Sequence, residues 1–414
     1  MDIFTITGLG HAGDGIAEMP DGPAFVPFTL PGDRVRLVRT GPERARLVEL
    51  VEASPDRVTP PCVHFGSCGG CALQHVGPAL YADWKREQVV TALRQRGFDD
   101  PPVDPAILIS AATRRRARFA WMRVKGNVLL GFQRRGSHDL IDLSQCPVLT
   151  PVLWAIVEPL RAFLVSDGKR WPKGDVEVVA SDTGLDLLFI ATPEPDRDLR
   201  VAIPTFAAAH GVARATWAPR DGAKPELLAQ IRSPQLSFDG INVMPPPGVF
   251  LQPSREGEAA LLKLVREAVG DATRVADLYC GLGTFALPLA KGRKMRAVDG
   301  DAAAVAVLQS TARSLNLPVT AETRDLQRRP LMADDLKALD AVIFDPPRAG
   351  APVQASHLAT SNVARVIAVS CNPATFARDA RTLVDGGYKL LRVTPVDQFT
   401  WSAHVELVAL FEKG

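Results

Sequence analysis

The sequence predicts a multidomain protein of mixed α/β and β class, with a small N-terminal β-barrel, a central α+β domain and a C-terminal doubly wound sheet. Two observations lead to this prediction. Short apolar runs separated by Gly, Pro and Asp turns fill the first 58 residues, whereas helical and strand patterns alternate from about residue 259 onward. A chain of 414 residues has room for two or three domains. We therefore place the domains at residues 1–58, 59–248 and 249–414.

The N-terminal domain is predicted from its alternation of strands and turns. Its apolar runs are IFTITGLG, GIAEM, AFVPF, DRVRLVR and RARLVELVE. Runs of this length with regular turns between them favour a small β-barrel of about five strands. Because small barrels of this type often bind single-stranded or looped RNA, the domain is a candidate RNA-binding module.

Three cysteines crowd into the segment CVHFGSCGGC, which follows the predicted barrel. Cys62, Cys68 and Cys71 have the spacing C-x5-C-x2-C, and the glycines between them let the backbone fold around a bound centre. Three thiolates leave a four-coordinate centre one ligand short, and Cys146 in SQCPVL is the natural fourth. The spacing fits either an iron–sulfur cluster or a zinc ion with four thiolates, and four buried free thiols are the remaining alternative.

The rest of the central domain is predicted to contain one helix and several strands. The predicted elements are a helix over 79–96, strands over 116–124, 128–134, 176–180 and 186–191, and a PPPG linker at 245–248. The net charge of the chain is only +2, yet residues 112–137 contain eight basic residues and no acidic one. This stretch predicts either a phosphate-contacting surface or a solvated hairpin face.

The C-terminal domain is predicted from strands that alternate with helices. The predicted elements are strands over 274–278, 338–344 and 363–369 and helices over 261–269 and 302–315. The first strand ends in YCGLGTFALPLA, where Gly281 allows a tight turn and the close approach of a ligand. Asp299 ends the next strand, 22 residues after Asp277, and a carboxylate there can accept both ribose hydroxyls of a nucleoside cofactor.

Reactive side chains stand at the ends of the later strands. DPPRAG places Asp345 after the fourth strand, SCNP places Cys371 after the fifth, and SAHVE places Glu406 at the start of the last. Because such strand ends meet in one crevice, Cys371 is expected to lie near two carboxylates and the cofactor loop. A core cysteine needs no such neighbours, so we predict that Cys371 is a nucleophile. His404 is interpreted as an orienting or structural group rather than the base.

The composition gives no sign of a membrane or secreted protein. No apolar run approaches the roughly 18 residues of a membrane helix, and the first residues lack a basic region followed by an apolar core. We therefore expect a cytoplasmic protein with no membrane partner, and we expect it to act as a monomer.

Taken together, the motifs resemble those of the RNA 5-methyluridine methyltransferases, specifically the iron–sulfur-containing branch that acts on 23S ribosomal RNA. The resemblance covers nearly the whole chain. It rests on the barrel, the cysteine set and the motifs FLQPS, DLYCGLGTFALPLA, DPPRAG, SCNPATF and SAHVE. It implies a TRAM-like barrel, a class I methyltransferase sheet and a 4Fe–4S cluster held by the four clustered cysteines.

The resemblance also implies a role for individual residues. The family's nucleophile falls on Cys371 and its general base on Glu406. Contacts to S-adenosyl-L-methionine are implied for Gln252, Tyr279, Asp299 and Asp345, and Gly281 lies in the same cofactor loop. The sequence departs from the family pattern at Ser254, where asparagine is usual, at Asp299, where glutamate is commoner, and at Thr400, where proline is usual.

The predicted activity is methylation of C5 of a uridine in RNA. C5 of uracil is a poor nucleophile, so a thiolate must first add to C6 and a separate base must later remove the C5 proton. The target base must also leave its stack to reach the crevice. The predicted substrate is 23S ribosomal RNA. A transfer-RNA methyltransferase and a non-catalytic iron–sulfur RNA-binding factor are the alternatives.

Overall fold

A closed β-barrel forms the N-terminal part of the structure, which is a computed structural model that describes residues 2–414. Its strands are β1 (Ile3–Leu9), β2 (Gly15–Met19), β3 (Gly22–Val26), β4 (Arg34–Gly41) and β5 (Arg44–Glu52). They close in the order β1-β2-β3-β5-β4, which confirms the predicted five-stranded barrel. Ile6, Val26 and Val35 help to fill its interior, because successive side chains of a strand point to opposite faces.

The segment after the barrel contains the cysteine loop and two regular elements. These are helix α1 (Pro78–Arg94) and the short strand β6 (Ile107–Leu108). Helix α1 lies within two residues of the predicted bounds at both ends. The bridge between Arg57 and Val76 joins the two ends of the cysteine loop, and Arg57 pairs with Asp33, which directly precedes β4.

A seven-stranded sheet with helices packed against it forms the central part of the molecule. Its elements are β7 (Arg116–Val124), β8 (Asn127–Gln133), β9 (Leu140–Asp142), α2 (Pro151–Ala155), α3 (Val157–Ser166), a 3-10 helix (Gly168–Arg170), β10 (Lys173–Ser181), β11 (Gly184–Ala191), α4 (Arg197–Ala209), β12 (Val212–Ala218) and β13 (Glu226–Gln230). The strand order is β13-β12-β11-β10-β7-β8-β9, and only β11 and β12 pair in parallel. Trp121, Phe163 and Phe189 lie in its core.

The C-terminal part is an eight-stranded, mostly parallel sheet, preceded by the hairpin of β14 (Leu236–Phe238) and β15 (Ile241–Val243). Its elements are α5 (Arg255–Val269), β16 (Arg274–Leu278), α6 (Ala286–Leu289), β17 (Lys294–Asp299), α7 (Ala302–Ser314), β18 (Val319–Thr323), α8 (Ala333–Leu336), β19 (Ala341–Phe344), α9 (Pro352–Ala359), β20 (Arg365–Ser370), α10 (Pro373–Asp385), β21 (Tyr388–Asp397) and β22 (Glu406–Lys413). The strand order is β18-β17-β16-β19-β20-β22-β21-β6. The order reverses between β16 and β19, so a ligand crevice is expected beyond their carboxyl ends.

Capped helix starts lie next to the crevice. Ser254 caps α5 by accepting from the N–H of Gly257 at 3.0 Å, Asp301 caps α7, and Asn372 caps α10 by accepting from the N–H of Ala374 at 3.1 Å. Each cap satisfies an otherwise unpaired helix N–H and contributes about 1 kcal/mol. No helix in residues 2–414 is long and apolar enough to cross a membrane.

Helix α1 and strand β6 pack on the C-terminal sheet although they precede the central sheet in the chain. Strand β6 extends the C-terminal sheet by pairing in parallel with β21. Val89, Val90 and Leu93 of α1 join the core that contains Phe376 and Leu383 of α10. The segment that follows the cysteine loop is therefore part of the surroundings of the C-terminal crevice.

Candidate functional site

The first wall of the crevice is the turn that follows β16. Gly281 has φ +51°, a left-handed conformation that favours glycine, and a Cβ added there would meet no atom within 4 Å. Its N–H donates to Oδ2 of Asp299 at 2.9 Å. Tyr279 also has a positive φ, +63°, and its N–H donates to the carbonyl of Val298 at 2.8 Å. The turn therefore leaves open space beside a fixed carboxylate.

Two further carboxylates lie close to this turn. Asp277 is fully buried, with Oδ2 accepting from the N–H of Ala286 at 2.9 Å and Oδ1 without a partner among the described residues. Burial, followed by the charge of Asp345, raises the pKa of Asp277 well above its usual value. Burial and the charge of Asp299 raise the pKa of Asp345 to about 7. The turn thus brings three carboxyl groups together, and a cationic or hydroxyl-rich ligand would favour their ionised forms.

Glu406, at the start of β22, is buried and is hydrogen-bonded to one amide side chain that is itself linked to a second. It is only 3% exposed. Nε2 of Gln398 donates to Oε2 of Glu406 at 3.2 Å and to Oε1 of Gln252 at 2.7 Å. Burial and the charge of Asp345 raise the pKa of Glu406 well above its usual range, while the hydrogen bond from Gln398 lowers it. A carboxylate with a raised pKa binds a proton more readily than an ordinary carboxylate, as a group that accepts a proton must.

Cys371 lies between the end of β20 and the start of α10, within the influence of the same carboxylates. Burial, and then the charges of Glu406 and Asp345, raise the pKa of its thiol to about 11. The charge of Arg348 acts in the opposite direction. The carbonyl of Arg348 accepts from Nδ2 of Asn372 at 3.1 Å, which ties the DPPRAG loop to the SCNP turn. The structure thus brings together the predicted nucleophile, the predicted base and Asp345.

Two other residues near these strand ends, His404 and Cys280, have different surroundings. His404 is exposed at the rim, with its ring 5.8 Å from that of Phe399, and it takes no part in the buried chain of Gln252, Gln398 and Glu406. Partial desolvation of its ring, followed by the charges of nearby cationic groups, lowers the pKa of His404. Cys280 is packed in the hydrophobic core at 5% exposure, as a small apolar residue is.

Gln398 and Lys85 were not identified from the sequence, although both contact the segment that precedes Glu406. Lys85 is fully buried on α1 and pairs with Asp397 at 2.8 Å. A polar Asp-Gln pair at the end of the apolar strand β21 was the available signal for Gln398. A single lysine on a helix gives no comparable signal.

The four predicted metal ligands face one cavity of about 900 Å³, which is also lined by Phe399 and His404 from the loop before Glu406 but not by Cys371. The four side chains are those of Cys62, Cys68, Cys71 and Cys146. Burial and the neighbouring thiols raise the pKa of Cys71 to about 12. Within residues 2–414, however, no three His, Cys, Asp or Glu side chains converge closely enough to hold a metal ion. A closed metal site is therefore not formed by the described side chains.

Most basic side chains of residues 112–137, for which a phosphate-contacting surface and a solvated hairpin face were the alternatives, have partners within the protein. Intramolecular partners are present for Arg115 (Glu258), Arg116 (Glu177), Arg118 (Asp175 and Asp221), Arg123 (the carbonyl of Leu164) and Arg135 (Asp14). Arg114, Lys125 and Arg134 are exposed and form no ion pair in the described part of the chain. Four of these five arginines pair with acidic residues distant in sequence. Phosphate contact therefore stays a prediction, and it now falls on the three basic residues without an ion pair. Arg114 and Arg134 line the cysteine cavity.

Known proteins resemble the chain over its whole length. Residues 243–414 match the tRNA (uracil-5-)-methyltransferase family. The chain is 44% identical to an RNA methyltransferase of Rhizobium meliloti (strain 1021), with 99% of each protein covered. It is 36% identical to the 23S rRNA (uracil(1939)-C(5))-methyltransferase RlmD of Halomonas elongata, over 99% of this chain and 89% of that protein. The fold is similar to that of the Pyrococcus abyssi tRNA (uracil-54, C5)-methyltransferase in complex with S-adenosyl-L-homocysteine, with a TM-score of 0.76, 24% identity and coverage of 99% of this chain and 100% of the other.

Proposed function

Because the chain belongs to the RNA uracil-5 methyltransferase family and is an S-adenosyl-L-methionine-dependent enzyme, we propose that its substrate is a uridine of 23S ribosomal RNA. The observation that supports this substrate is the identity of 36%, over 99% of the chain, with a relative named for 23S ribosomal RNA. The solved transfer-RNA enzyme is 24% identical and supports the fold alone. Mapping 5-methyluridine in ribosomal and transfer RNA, with and without the gene, tests the proposal. Loss of the modification from transfer RNA alone would contradict it.

We propose that S-adenosyl-L-methionine binds along the turn after β16. Gln252, Tyr279, Gly281, Asp299 and Asp345 are the proposed contacts. The open space beside Gly281 and the carboxylate of Asp299 suit a ribose with two hydroxyl groups. When bound, this cosubstrate supplies the methyl group that C5 of the uracil receives. The carboxylates of Asp299 and Asp345 also favour the cationic sulfonium over a neutral ligand.

We propose that Cys371 and Glu406 act at different stages of one covalent cycle. The thiolate of Cys371 forms a bond to C6 of uracil, and the C5–C6 electron pair moves to make an enolate at O4. Gln252 and Arg348 are candidate donors to that oxygen. C5 then acquires the methyl group. Glu406 accepts the C5 proton, the C5–C6 double bond re-forms, and the bond between C6 and the sulfur of Cys371 breaks.

The removal of each residue distinguishes the two stages. Cys371→Ala should abolish methyl transfer and give no covalent RNA complex. Glu406→Gln keeps the shape of the side chain but removes the basic oxygen, so it should stall with Cys371 bonded to the methylated ring. On a denaturing gel we expect a slower protein–RNA band that requires S-adenosylmethionine. Normal turnover by Glu406→Gln would assign the base to another residue, with Asp345 and His404 next.

We propose that Cys62, Cys68, Cys71 and Cys146 hold a 4Fe–4S cluster. All four donors are thiols, and all face one cavity. Iron–sulfur clusters are held by four cysteine thiolates, and a four-iron cluster spans a wider gap than one zinc ion. Cys146 lies beyond β9, whereas the other three lie before α1, so the cluster would join two segments. Its proposed contribution is structural rather than catalytic.

A further inference from the structure

The loop between β21 and β22 connects the two side chains that form the buried proton site. Gln398 directly follows Asp397, the last residue of β21, and Glu406 is the first residue of β22. Trp401, midway along the loop, has a left-handed φ of +62°. A loop with this conformation needs fixed partners, because its own backbone forms few regular hydrogen bonds. Those partners come from the segment that follows Cys71.

The backbone of Trp401 is held from both sides by that segment. Its N–H donates to Oη of Tyr81 at 2.8 Å. Its carbonyl accepts from the N–H groups of Ala72 and Leu73 at 2.8 and 3.1 Å. The loop is therefore bound to the start of α1 and to the end of the cysteine loop.

Lys85 binds both ends of the same loop. Its Nζ donates to Oδ1 of Asp397 at 2.8 Å, to the carbonyl of Ser402 at 2.8 Å and to the carbonyl of His404 at 2.5 Å. An ammonium group has three N–H donors, so each has an acceptor. The side chain of Lys85 is 0% exposed and that of Asp397 is 1% exposed. Tyr81 donates to the other oxygen of Asp397 at 2.5 Å.

We propose that Lys85 is a positioning residue that fixes Gln398 and Glu406 in the orientation needed for removal of the C5 proton. The inference rests on the proposed role of Glu406 as the base. Lys85 acts through the backbone: Asp397 directly precedes Gln398, and His404 is two residues before Glu406. Without the ammonium, the carbonyls of Ser402 and His404 lose this donor. Oδ1 of Asp397 then keeps only the weaker hydrogen bond from the N–H of Phe399, at 3.2 Å, so the two ends of the loop are no longer joined through one side chain.

Three variants test this role. Lys85→Met removes the ammonium at similar length, and Tyr81→Phe is a milder change that removes one hydroxyl from the same network. The matched control is Lys413→Met, at the other end of β22. Nζ of Lys413 also donates to two carbonyls, those of Ala359 and Gly386 at 2.9 and 2.7 Å, and lies 4.5 Å from the ring centre of Tyr388.

Transcripts of 23S ribosomal RNA that contain either uridine or 5-fluorouridine distinguish thiolate addition and methylation from the later removal of the C5 proton. After thiolate addition and methylation, fluorine cannot leave C5 as a cation. The fluorinated RNA therefore stays bound to Cys371 whether or not Glu406 can remove a proton. For Lys85→Met and Tyr81→Phe we expect near-normal trapping by the fluorinated RNA and an unchanged KM for RNA. We expect kcat on uridine RNA to fall by about tenfold or more, with accumulation of a covalent uridine adduct. Lys413→Met should behave as the unaltered enzyme.

The outcomes separate this inference from the proposed mechanism. Suppose that kcat of Lys85→Met falls by the same factor as the yield of the covalent adduct with fluorinated RNA, and that no uridine adduct accumulates. Lys85 then supports only the fold, and the inference is overturned. A uridine adduct in Glu406→Gln but not in the Lys85 or Tyr81 variants overturns the inference while leaving the base assignment intact. Absence of the adduct in Glu406→Gln overturns both.

Discussion

The amide nitrogen Nε2 of Gln398 donates a hydrogen bond to Oε2 of Glu406 at 3.2 Å. The same nitrogen donates to Gln252, so one amide joins a proposed cosubstrate contact to the proposed base. Burial and the charge of Asp345 raise the pKa of Glu406, and the hydrogen bond from Gln398 lowers it. Gln398 therefore favours the ionised carboxylate, which is the form that accepts a proton.

Removal of this amide should change the pH dependence of turnover. Glu406 must be ionised, so kcat should fall as the pH drops through its raised pKa. Gln398→Leu should move this acid limb upward by about one pH unit, because a hydrogen bond to a charged group contributes roughly 1.5 kcal/mol or more. Profiles of kcat against pH measure the shift. Gln354→Leu is the control, because Gln354 is equally buried but bonds to the backbone of Leu331. A downward or absent shift would contradict the prediction.

The reactivity of Cys371 should depend on the charges around it. Its pKa of about 11 is raised by burial and by Glu406 and Asp345, and lowered by Arg348. Since only the thiolate reacts, alkylation by iodoacetamide in the free protein should be slow at pH 7 and should rise with pH. Glu406→Gln removes a negative charge and should accelerate alkylation at pH 7, by about tenfold for each unit by which the pKa falls. Arg348→Gln should slow it.

Peptide mass spectrometry after timed alkylation measures this reactivity at single cysteines. Cys280 is the internal control, since it is buried in the core and should stay unmodified in every variant. Equal or slower alkylation of Cys371 in Glu406→Gln would show that the charge of Glu406 does not reach the thiol.

The parts of the fold that depend on local patterns were predictable from the sequence. The barrel strands match their apolar runs, and Arg116–Val124 and Arg274–Leu278 were predicted to the residue. Cys371 could be placed at a strand end because the apolar run before it is continuous. Strand β19 begins at Ala341 rather than at residue 338, because the N–H of Leu339 instead donates to the carbonyl of Leu336 and closes the turn after α8.

The parts that depend on distant contacts were not predictable. Lys85 and Asp397 are 312 residues apart in the chain, and neither has a distinctive neighbourhood in the sequence. The sequence pattern assigns Arg115 to a basic surface, yet it is buried against Glu258, 143 residues away. The charged residues can be read from a sequence. Whether an opposite charge pairs with them can be judged only when it is known which segments are in contact.

The proposed cluster predicts that the iron content of the protein falls when a ligand cysteine is replaced but not when another cysteine is replaced. Protein purified without oxygen should be brown and contain about four irons per chain. Cys146→Ser should lose iron and unfold at a lower temperature, because it releases the link between two segments. Cys280→Ser is the control and should keep its iron, since Cys280 does not line the cavity. Colourless protein with one zinc per chain would contradict the cluster while leaving the methyltransferase function intact.

RNA binding should depend on the exposed arginines at the cysteine cavity. Arg114 and Arg134 line this cavity and form no ion pair in residues 2–414. Each phosphate contact that is lost should make the slope of log affinity against log salt concentration shallower by about 0.7 to 0.9. The variant with both Arg114→Ala and Arg134→Ala should therefore have a slope that is shallower by less than about two. Filter binding of a 23S ribosomal RNA transcript, between about 50 and 200 mM KCl, measures the slope. Arg118→Ala is the matched control: Arg118 lines the same cavity but pairs with Asp175 and Asp221, so its slope should change little. An unchanged slope in the double variant would move the main RNA surface elsewhere, most directly to the N-terminal barrel.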